Sequence, residues 1–269
     1  MQFGLFLPPF GELADPQVLA AVAARAEVGG WDGVFLWDHV NYRAPVEEIA
    51  DPWIALAAMA TATERVRLGA LVTPLARRRP QVLARQTATL DVLARGRLVV
   101  GVGLGLDQSG RELSAFGEEL DDRVRARMLD EALEVITALW SGENVKHEGE
   151  HYRADSVRFW PRPIQRPRIP VWVAARAPNQ RPLDRAARWD GLFLIDHQEP
   201  DDLRAAVARL QADGPLPDDY AIAVNGPPGT DPQPWADAGA TWWLTALDPS
   251  TTTAGSVLAL ADRAPGGER

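Results

Sequence analysis

The sequence contains no cysteine and only one lysine, Lys146. The absence of cysteine excludes disulfide bonds, thiolate nucleophiles and sulfur-ligated metals. No apolar run approaches the roughly 20 residues that a membrane-spanning helix needs. Positive charge is also in short supply, because the net charge is -9. These shortages argue against a thiol enzyme, a membrane protein or a protein whose main partner is nucleic acid.

The first residues, MQFGLFLPPFGE, lack the features of a secretion signal. They have no basic flank, and two prolines follow early, so the segment is a poor signal peptide. We therefore expect a cytoplasmic protein that acts on a small-molecule substrate. A homodimer is a further expectation.

Short apolar runs alternate with longer amphipathic ones along the chain. Eight runs predict strands, at 3–7, 34–37, 66–72, 97–100, 171–174, 192–195, 221–224 and 241–244. Two of the helices predicted between them begin at Asp15-Pro16 and Asp51-Pro52, since Asp caps a helix and Pro fits its first position. Eight strand–helix units predict one α/β domain over 1–269, a (β/α)8 TIM barrel. A doubly wound open sheet is the alternative fold.

The segment 142–170 is too long for a simple connection between a strand and a helix. Within it, residues 145–152 have Glu148-Gly149 at their centre and predict a small hairpin. We expect this insertion to pack near the mouth of the barrel and to shape specificity.

The end of the second strand carries the leading catalytic candidate, His39. Catalytic groups of a barrel follow its strands, and an imidazole can act as acid or base near neutral pH. Asp38 is a second catalytic candidate, because it could orient His39. Adjacent strand residues point to opposite sides, however, so Asp38 could face the helices instead.

Glycines and an arginine follow two other strands. The run Gly103-Leu104-Gly105 would let a ligand approach the backbone closely. The stretch Ala175-Arg176-Ala177-Pro178-Asn179 joins a strand to a helix start, which favours an anion. Arg176 would add a charge-assisted contact to a phosphate, or would otherwise pair with a nearby carboxylate.

Three further groups have less specific interpretations. The run Arg77-Arg78-Arg79 is interpreted as a solvated surface, and His197 as an exposed loop residue. A metal site built from Asp38, His39, Asp196 and His197 is an alternative, although these residues form neither an HxH pair nor an HExxH motif.

Several segments of the chain resemble the bacterial luciferase-like flavin-dependent oxidoreductases and monooxygenases, a family that includes FMN-dependent and coenzyme F420-dependent enzymes. They are FGLFLPPFG, AEVGGWDGVFLWDHV, DPWIALAAMATATERVRLGALVTPL, RRRPQVLARQTATLDVLARGRLVVGVGLG, RPRIPVWVAA, AARWDGLF and AGATWWLTALDP. The part from Thr61 to Gly105 is the most specific, and together the segments cover most of the chain.

The resemblance implies a (β/α)8 barrel with FMN or coenzyme F420 at its C-terminal mouth, and His39 near the reactive centre of the ring. It also implies a non-proline cis peptide at the end of strand three, matched here to Ala70-Leu71. Some deazaflavin-dependent members have an acid after the strand-four loop, where this chain has Leu106 and then Asp107. The cofactor-binding residues implied are Ala70, Leu71, Val72, Thr73, Gly103, Leu104, Gly105, Ala174, Ala175, Arg176, Ala177 and Asn179.

The implied function is an oxidoreductase that performs either monooxygenation with FMN or hydride transfer with coenzyme F420. In both cases His39 would assist at the reacting atoms. Two alternatives stay open. One is a degenerate, non-catalytic flavin-binding homologue, and the other is a metal-dependent barrel hydrolase that uses Asp38, His39 and His197.

Overall fold

A computed structural model describes residues 1–107, 111–177, 179–263 and 265. Its strands within these ranges are β1 (Gln2–Leu7), β2 (Gly33–Leu36), β3 (Arg67–Pro74), β4 (Leu98–Gly103), β5 (Val145–Glu148), β6 (Arg153–Val157), β7 (Val171–Arg176), β8 (Gly191–Ile195), β9 (Ala221–Gly226) and β10 (Trp242–Ala246). Eight of them close a parallel barrel in the order β1-β10-β9-β8-β7-β4-β3-β2. The predicted TIM barrel is confirmed, and the open sheet is excluded.

The helices lie between the barrel strands, as predicted. They are α1 (Pro16–Gly29), α2 (Pro52–Thr61), α3 (Pro80–Leu93), α4 (Asp122–Trp140), α5 (Gln180–Ala186), α6 (Pro200–Leu210), α7 (Gln233–Asp237) and α8 (Ala254–Ala261). Asp15 and Asp51 cap α1 and α2 through side-chain hydrogen bonds to the backbone. In the described part of the chain, no helix is both long and apolar enough to cross a membrane.

The strands β5 and β6 form an antiparallel pair outside the barrel, so the insertion contains the predicted hairpin. Its second strand, Arg153–Val157, lies entirely beyond the predicted 145–152, so the predicted range held only the first strand and the turn. Glu131 on α4 accepts hydrogen bonds from the backbone N–H groups of His151 and Tyr152 and contacts the His147 ring. These contacts attach the hairpin to the barrel through α4.

Two buried apolar clusters show in which direction the side chains of β2 point. One lies between the barrel and the helices and includes Val34 and Leu36, and the other fills the barrel interior and includes Phe35. Because side chains alternate along a strand, Trp37 and His39 continue the inward series. Asp38 continues the outward series, towards the helices.

The regular pairing of β3 with β4 is interrupted near the barrel mouth. Ala70 pairs with Val100 and Thr73 with Val102, so two residues of β3 stand opposite Gly101. A Cβ on Gly101 would lie 2.4 Å from the Leu71 side chain, so the bulge depends on glycine there. The non-proline cis peptide is Leu71-Val72, and the expected Ala70-Leu71 bond was wrong by one residue. The reason is that the two bulged residues are Leu71 and Val72, whereas Ala70 still pairs regularly.

Candidate active site

A cavity of about 440 Å³ opens at the C-terminal mouth of the barrel. Phe6, Leu71 and Phe193 lie at its base, above the aromatic side chains that fill the barrel interior. Val72, Gly103, Trp37 and His39 also line the cavity. The cavity is therefore mostly apolar, with its polar groups at defined positions on the rim.

His39 presents one ring nitrogen to a carboxylate. Its Nδ1 lies 2.8 Å from Oε1 of Glu112, and its side chain is 31 % exposed. A carboxylate can only accept a hydrogen bond, so Nδ1 carries the hydrogen in this pair. Nε2 is then the ring nitrogen that remains available to a ligand in the cavity.

Glu112 is the functional candidate that the sequence did not reveal. It lies beyond residues 108–110, which fall outside the described ranges. Asp107 accepts hydrogen bonds from the backbone N–H groups of Glu112 (3.1 Å), Leu113 (2.8 Å) and Ser114 (3.2 Å). Asp107 thus fixes the turn that brings Glu112 back to His39. The only signal in the sequence was the Asp107 that follows the strand-four loop.

Asp38 faces away from His39 and is almost fully buried. Its carboxylate accepts hydrogen bonds from Thr73 Oγ1 (2.8 Å), Arg78 Nη2 (2.7 Å) and Arg77 Nη2 (2.8 Å). Burial acts to raise the pKa of Asp38, but Arg78 and Arg77 outweigh it, so the pKa lies below its ordinary value. These contacts favour a supporting role for Asp38 over a direct role in chemistry.

For Arg77 and Arg78 the interpretation as a solvated surface was wrong, and only Arg79 is exposed. The Arg77 side chain is 7 % exposed and donates to both Asp38 and Glu112. Arg78 is also largely shielded, while Arg79 is exposed. A short 3-10 helix at Leu75–Arg77 turns the chain after β3, and this turn directs the first two arginines back towards the end of β2.

Most of the predicted cofactor-binding residues line the cavity. Those that do are Leu71, Val72, Gly103, Leu104, Gly105, Ala174, Ala175, Arg176 and Asn179. Ala70 instead packs in the layer between barrel and helices, Thr73 bonds to Asp38, and Ala177 packs against the outer core. The sequence identified the correct strand ends but not the direction of every side chain.

Two glycines shape the wall of the cavity beside the bulge. A Cβ on Gly103 would lie 2.7 Å from Cγ2 of Val72, so the glycine permits close packing beside the bulge. Gly105 has a φ of +74°, and a Cβ there would lie 2.8 Å from the Pro74 side chain. Apolar walls with a single histidine–carboxylate pair at the rim suit an aromatic cofactor whose reacting atom needs a proton donor or acceptor.

The opposite rim, formed by β7 and β8, carries an exposed ion pair. Arg176 Nε lies 2.6 Å from Asp196 Oδ2, with side-chain exposures of 37 % and 62 %. Arg176 therefore has the carboxylate partner that the sequence left as the alternative, and its phosphate role stays a prediction. Pro178, in the same predicted turn, lies outside the described residues.

His197 is not the exposed loop residue that we expected. Its ring packs 4.3 Å from that of Trp235, and its Nε2 accepts a hydrogen bond from the backbone N–H of Asn225 (3.4 Å). Burial lowers the pKa of His197. His197 does not line the cavity. Across the described ranges, no group of three or more His, Asp or Glu side chains converges as metal ligands would, so nothing supports the metal-site alternative.

Comparison with known proteins agrees with this geometry. The sequence profile of the luciferase-like monooxygenase family matches residues 1–243. This chain therefore belongs to the luciferase-like monooxygenase family, as its sequence implied.

Two curated relatives illustrate the similarity. An F420-dependent glucose-6-phosphate dehydrogenase of Kineococcus radiotolerans is 36% identical over an alignment of 171 residues that covers 61% of this chain and 48% of the relative. An uncharacterised protein of Mycobacterium bovis is 36% identical over an alignment of 199 residues that covers 71% of this chain and 67% of the relative. The chain spans about half the length of the dehydrogenase that it matches.

Solved structures share the fold. The monooxygenase RslO1 from Streptomyces bottropensis superposes with a TM-score of 0.71 at 27% identity, covering 84% of this chain and 71% of that one. An F420-dependent secondary alcohol dehydrogenase has a TM-score of 0.79 at 20% identity, covering 97% and 99% of the two chains. The similar proteins include enzymes named for coenzyme F420, and another similar structure is a Baeyer-Villiger monooxygenase in complex with FMN.

Proposed function

We propose that this chain is an oxidoreductase that transfers a hydride between coenzyme F420 and a small organic alcohol or carbonyl compound. The observation that carries the proposal is the His39–Glu112 pair at the rim of an apolar cavity. Hydride removal from an alcohol requires removal of the hydroxyl proton, and a histidine held by a carboxylate is suited to accept it. The relatives named for coenzyme F420 support this choice of cofactor.

Each residue of the cavity has a separate role in this proposal. Leu71, Val72 and Gly103 would hold the ring, and the apolar base of the cavity would exclude water from its reacting face. When bound, the deazaflavin would accept or donate the hydride. His39 Nε2 would take the hydroxyl proton of the substrate or return it to a carbonyl oxygen, while Glu112 keeps the imidazole oriented.

Arg176 is proposed to contact the phosphate of the cofactor. Its present partner, Asp196, is largely exposed, and an exposed pair of this kind contributes only about 0–1 kcal/mol. A phosphate could therefore replace the carboxylate at little cost and accept charge-assisted hydrogen bonds from the guanidinium group. The homodimer and the cytoplasmic location also stay predictions.

The second candidate function is FMN-dependent monooxygenation. It is supported by the matched family and by the structural similarity to the monooxygenase RslO1. In this case the same cavity would hold FMN, and His39 would hydrogen-bond the substrate at the reacting atom. Both candidates use the same wall residues, so a reaction assay must separate them.

The test mixes the purified protein with oxidised coenzyme F420 and a panel of alcohols that includes secondary alcohols and glucose 6-phosphate. We expect loss of the fluorescence of the oxidised deazaflavin with at least one alcohol, at the same rate with and without oxygen. Oxygen consumption with reduced FMN, without any reaction of coenzyme F420, would favour the monooxygenase instead. No reaction with either cofactor would favour the degenerate homologue.

A further inference from the structure

A continuous chain of contacts links the buried Asp38 to the ring of His39, although these two neighbours face opposite ways. Arg77 Nη2 donates to the main-chain oxygen of Asp38 (2.7 Å) and to its Oδ1 (2.8 Å). Arg77 Nη1 donates to Oε2 of Glu112, whose other oxygen holds His39 Nδ1. Arg77 thus contacts Asp38 directly and reaches the His39 imidazole through Glu112.

Burial makes each member of this link dependent on its neighbours. The side chains of Asp38, Arg77 and Glu112 are only 1 %, 7 % and 6 % exposed. Removing one partner of a buried ion pair leaves the other charge without compensation. Among the described residues, the Glu112 carboxylate forms ion-pair contacts with Arg77 and with the His39 ring. Without Arg77, only the His39 ring would remain. Glu112 would then reorient towards water or neutralise.

The shape of the arginine matters as well as its charge. A planar guanidinium group can bind the Asp38 carbonyl, the Asp38 carboxylate and the Glu112 carboxylate at once. A lysine has a single compact ammonium group at the end of a flexible stem. It could neutralise one carboxylate but would not hold both in this arrangement.

We propose that Arg77 is the positioning residue that selects the working tautomer of His39. It holds Glu112 so that Oε1 accepts the hydrogen of His39 Nδ1, which leaves Nε2 as the free basic nitrogen in the cavity. The consequence for turnover rests on the proposed function. The consequence for the tautomer does not, because it follows from the contacts alone.

Arg78 offers a matched control. It donates to the same Asp38 carboxylate, from Nη2 (2.7 Å) and Nε (3.1 Å), but makes no described contact with Glu112. An Arg78→Met variant therefore removes an arginine from Asp38 and leaves the contact between Arg77 and Glu112 in place. A general structural disturbance would affect both arginine variants, whereas a positioning role distinguishes them.

The experiment is ¹⁵N NMR of the histidine rings in the protein without cofactor. It is recorded at about pH 8, above the ordinary histidine pKa of about 6.5, and His39 is assigned with a His39→Gln variant. We expect the wild-type protein and Arg78→Met to show the Nδ1–H tautomer of His39. Arg77→Met should shift the ring towards Nε2–H, and Arg77→Lys should give a mixture. An unchanged Nδ1–H signal in Arg77→Met, or in folded Arg77→Lys if Arg77→Met does not fold, would overturn the proposal.

Kinetics give the second measurement. Arg77→Met should lower kcat about 10- to 100-fold, the range known for outer partners of metal-bound histidines, with little change in the Kd of the cofactor. Arg77→Lys should recover part of the loss. If the tautomer shifts as expected but no variant, including the wild type, turns over any substrate, the proposed function fails while the positioning role stands. An equal loss of kcat in Arg78→Met would contradict the positioning role.

Discussion

On the β2–β4 side of the cavity, Asp38, Arg77 and Glu112 are almost fully buried, whereas on the β7–β8 side Arg176 is partly exposed and Asp196 is largely exposed. The buried side has several contacts for each charge, and the exposed side has one ion pair. A buried, fully paired network fixes geometry, while an exposed pair can be exchanged for another ligand. The first arrangement suits the orientation of a catalytic group, and the second suits the binding of an anion.

Replacement of His39 by alanine tests the buried side with the largest expected effect. Turnover should fall about 10²- to 10⁴-fold, the usual contribution of a general acid or base, while cofactor affinity changes little. Steady-state kinetics and a binding titration measure the two quantities. The control is His147→Ala, because His147 also contacts a glutamate (3.1 Å to Glu131) but lies in the hairpin, away from the cavity. Unchanged turnover in His39→Ala would remove the catalytic role.

The two aspartates of the comparison should differ sharply in their contribution to stability. Asp38→Asn should lower the free energy of unfolding by about 3–5 kcal/mol, because it removes the buried negative charge that Arg77 and Arg78 share. Asp196→Asn should change it by less than about 1 kcal/mol, because its pair is exposed. Urea denaturation of both variants measures the difference. Similar values for the two would contradict the contrast between the two sides.

Arg176→Ala tests whether the exposed side binds a phosphate. FMN and riboflavin are matched ligands, since they share the ring and differ in the phosphate. We expect the Kd of FMN to rise about tenfold, or about 1.4 kcal/mol, as for loss of one charge-assisted hydrogen bond, and the Kd of riboflavin to stay nearly constant. Equal weakening of both ligands would indicate that Arg176 acts on the ring or on the fold.

The smallest expected effect is that of replacing His197, which should change the dependence of stability on pH. Burial lowers its pKa in the folded protein, so below the ordinary value of about 6.5 the unfolded chain takes up a proton first. The stability contributed by neutral His197 is therefore fully present above about pH 6.5 and is lost as the pH falls towards the folded pKa. The fall in Tm between about pH 7.5 and 5.5 should be smaller in His197→Gln. A pH dependence equal to that of the wild type would contradict this assignment.

The sequence was sufficient to predict the barrel because its signals are local. Asp15 and Asp51 cap helices, and short apolar runs mark the strands, so each strand–helix unit could be recognised without knowledge of the others. His39 could be placed at the cavity for the same reason, since it follows a strand directly. Local signals thus determined the fold and one member of the site.

The remaining features depend on contacts between distant parts of the chain. Glu112 reaches His39 across 73 positions of sequence, and Arg77 reaches Asp38 across 39. A run of three arginines is interpreted as solvent-exposed unless the buried carboxylates that accept hydrogen bonds from it are known. The position of the cis peptide likewise depends on the register of β3 against β4, which no local pattern specifies.

The most direct test of the central claim, a flavin or deazaflavin site at the barrel mouth, is a fluorescence titration of the protein with coenzyme F420 and with FMN. Ala174→Trp places a large side chain on a residue that lines the cavity. Ala58→Trp is the control, because Ala58 is also only partly buried but lies on α2, away from the cavity. The account predicts saturable binding of at least one of the two cofactors to the wild-type protein and to Ala58→Trp, and loss of that binding in Ala174→Trp. Absence of binding of both cofactors to the wild-type protein, or equal binding to both variants, would contradict it.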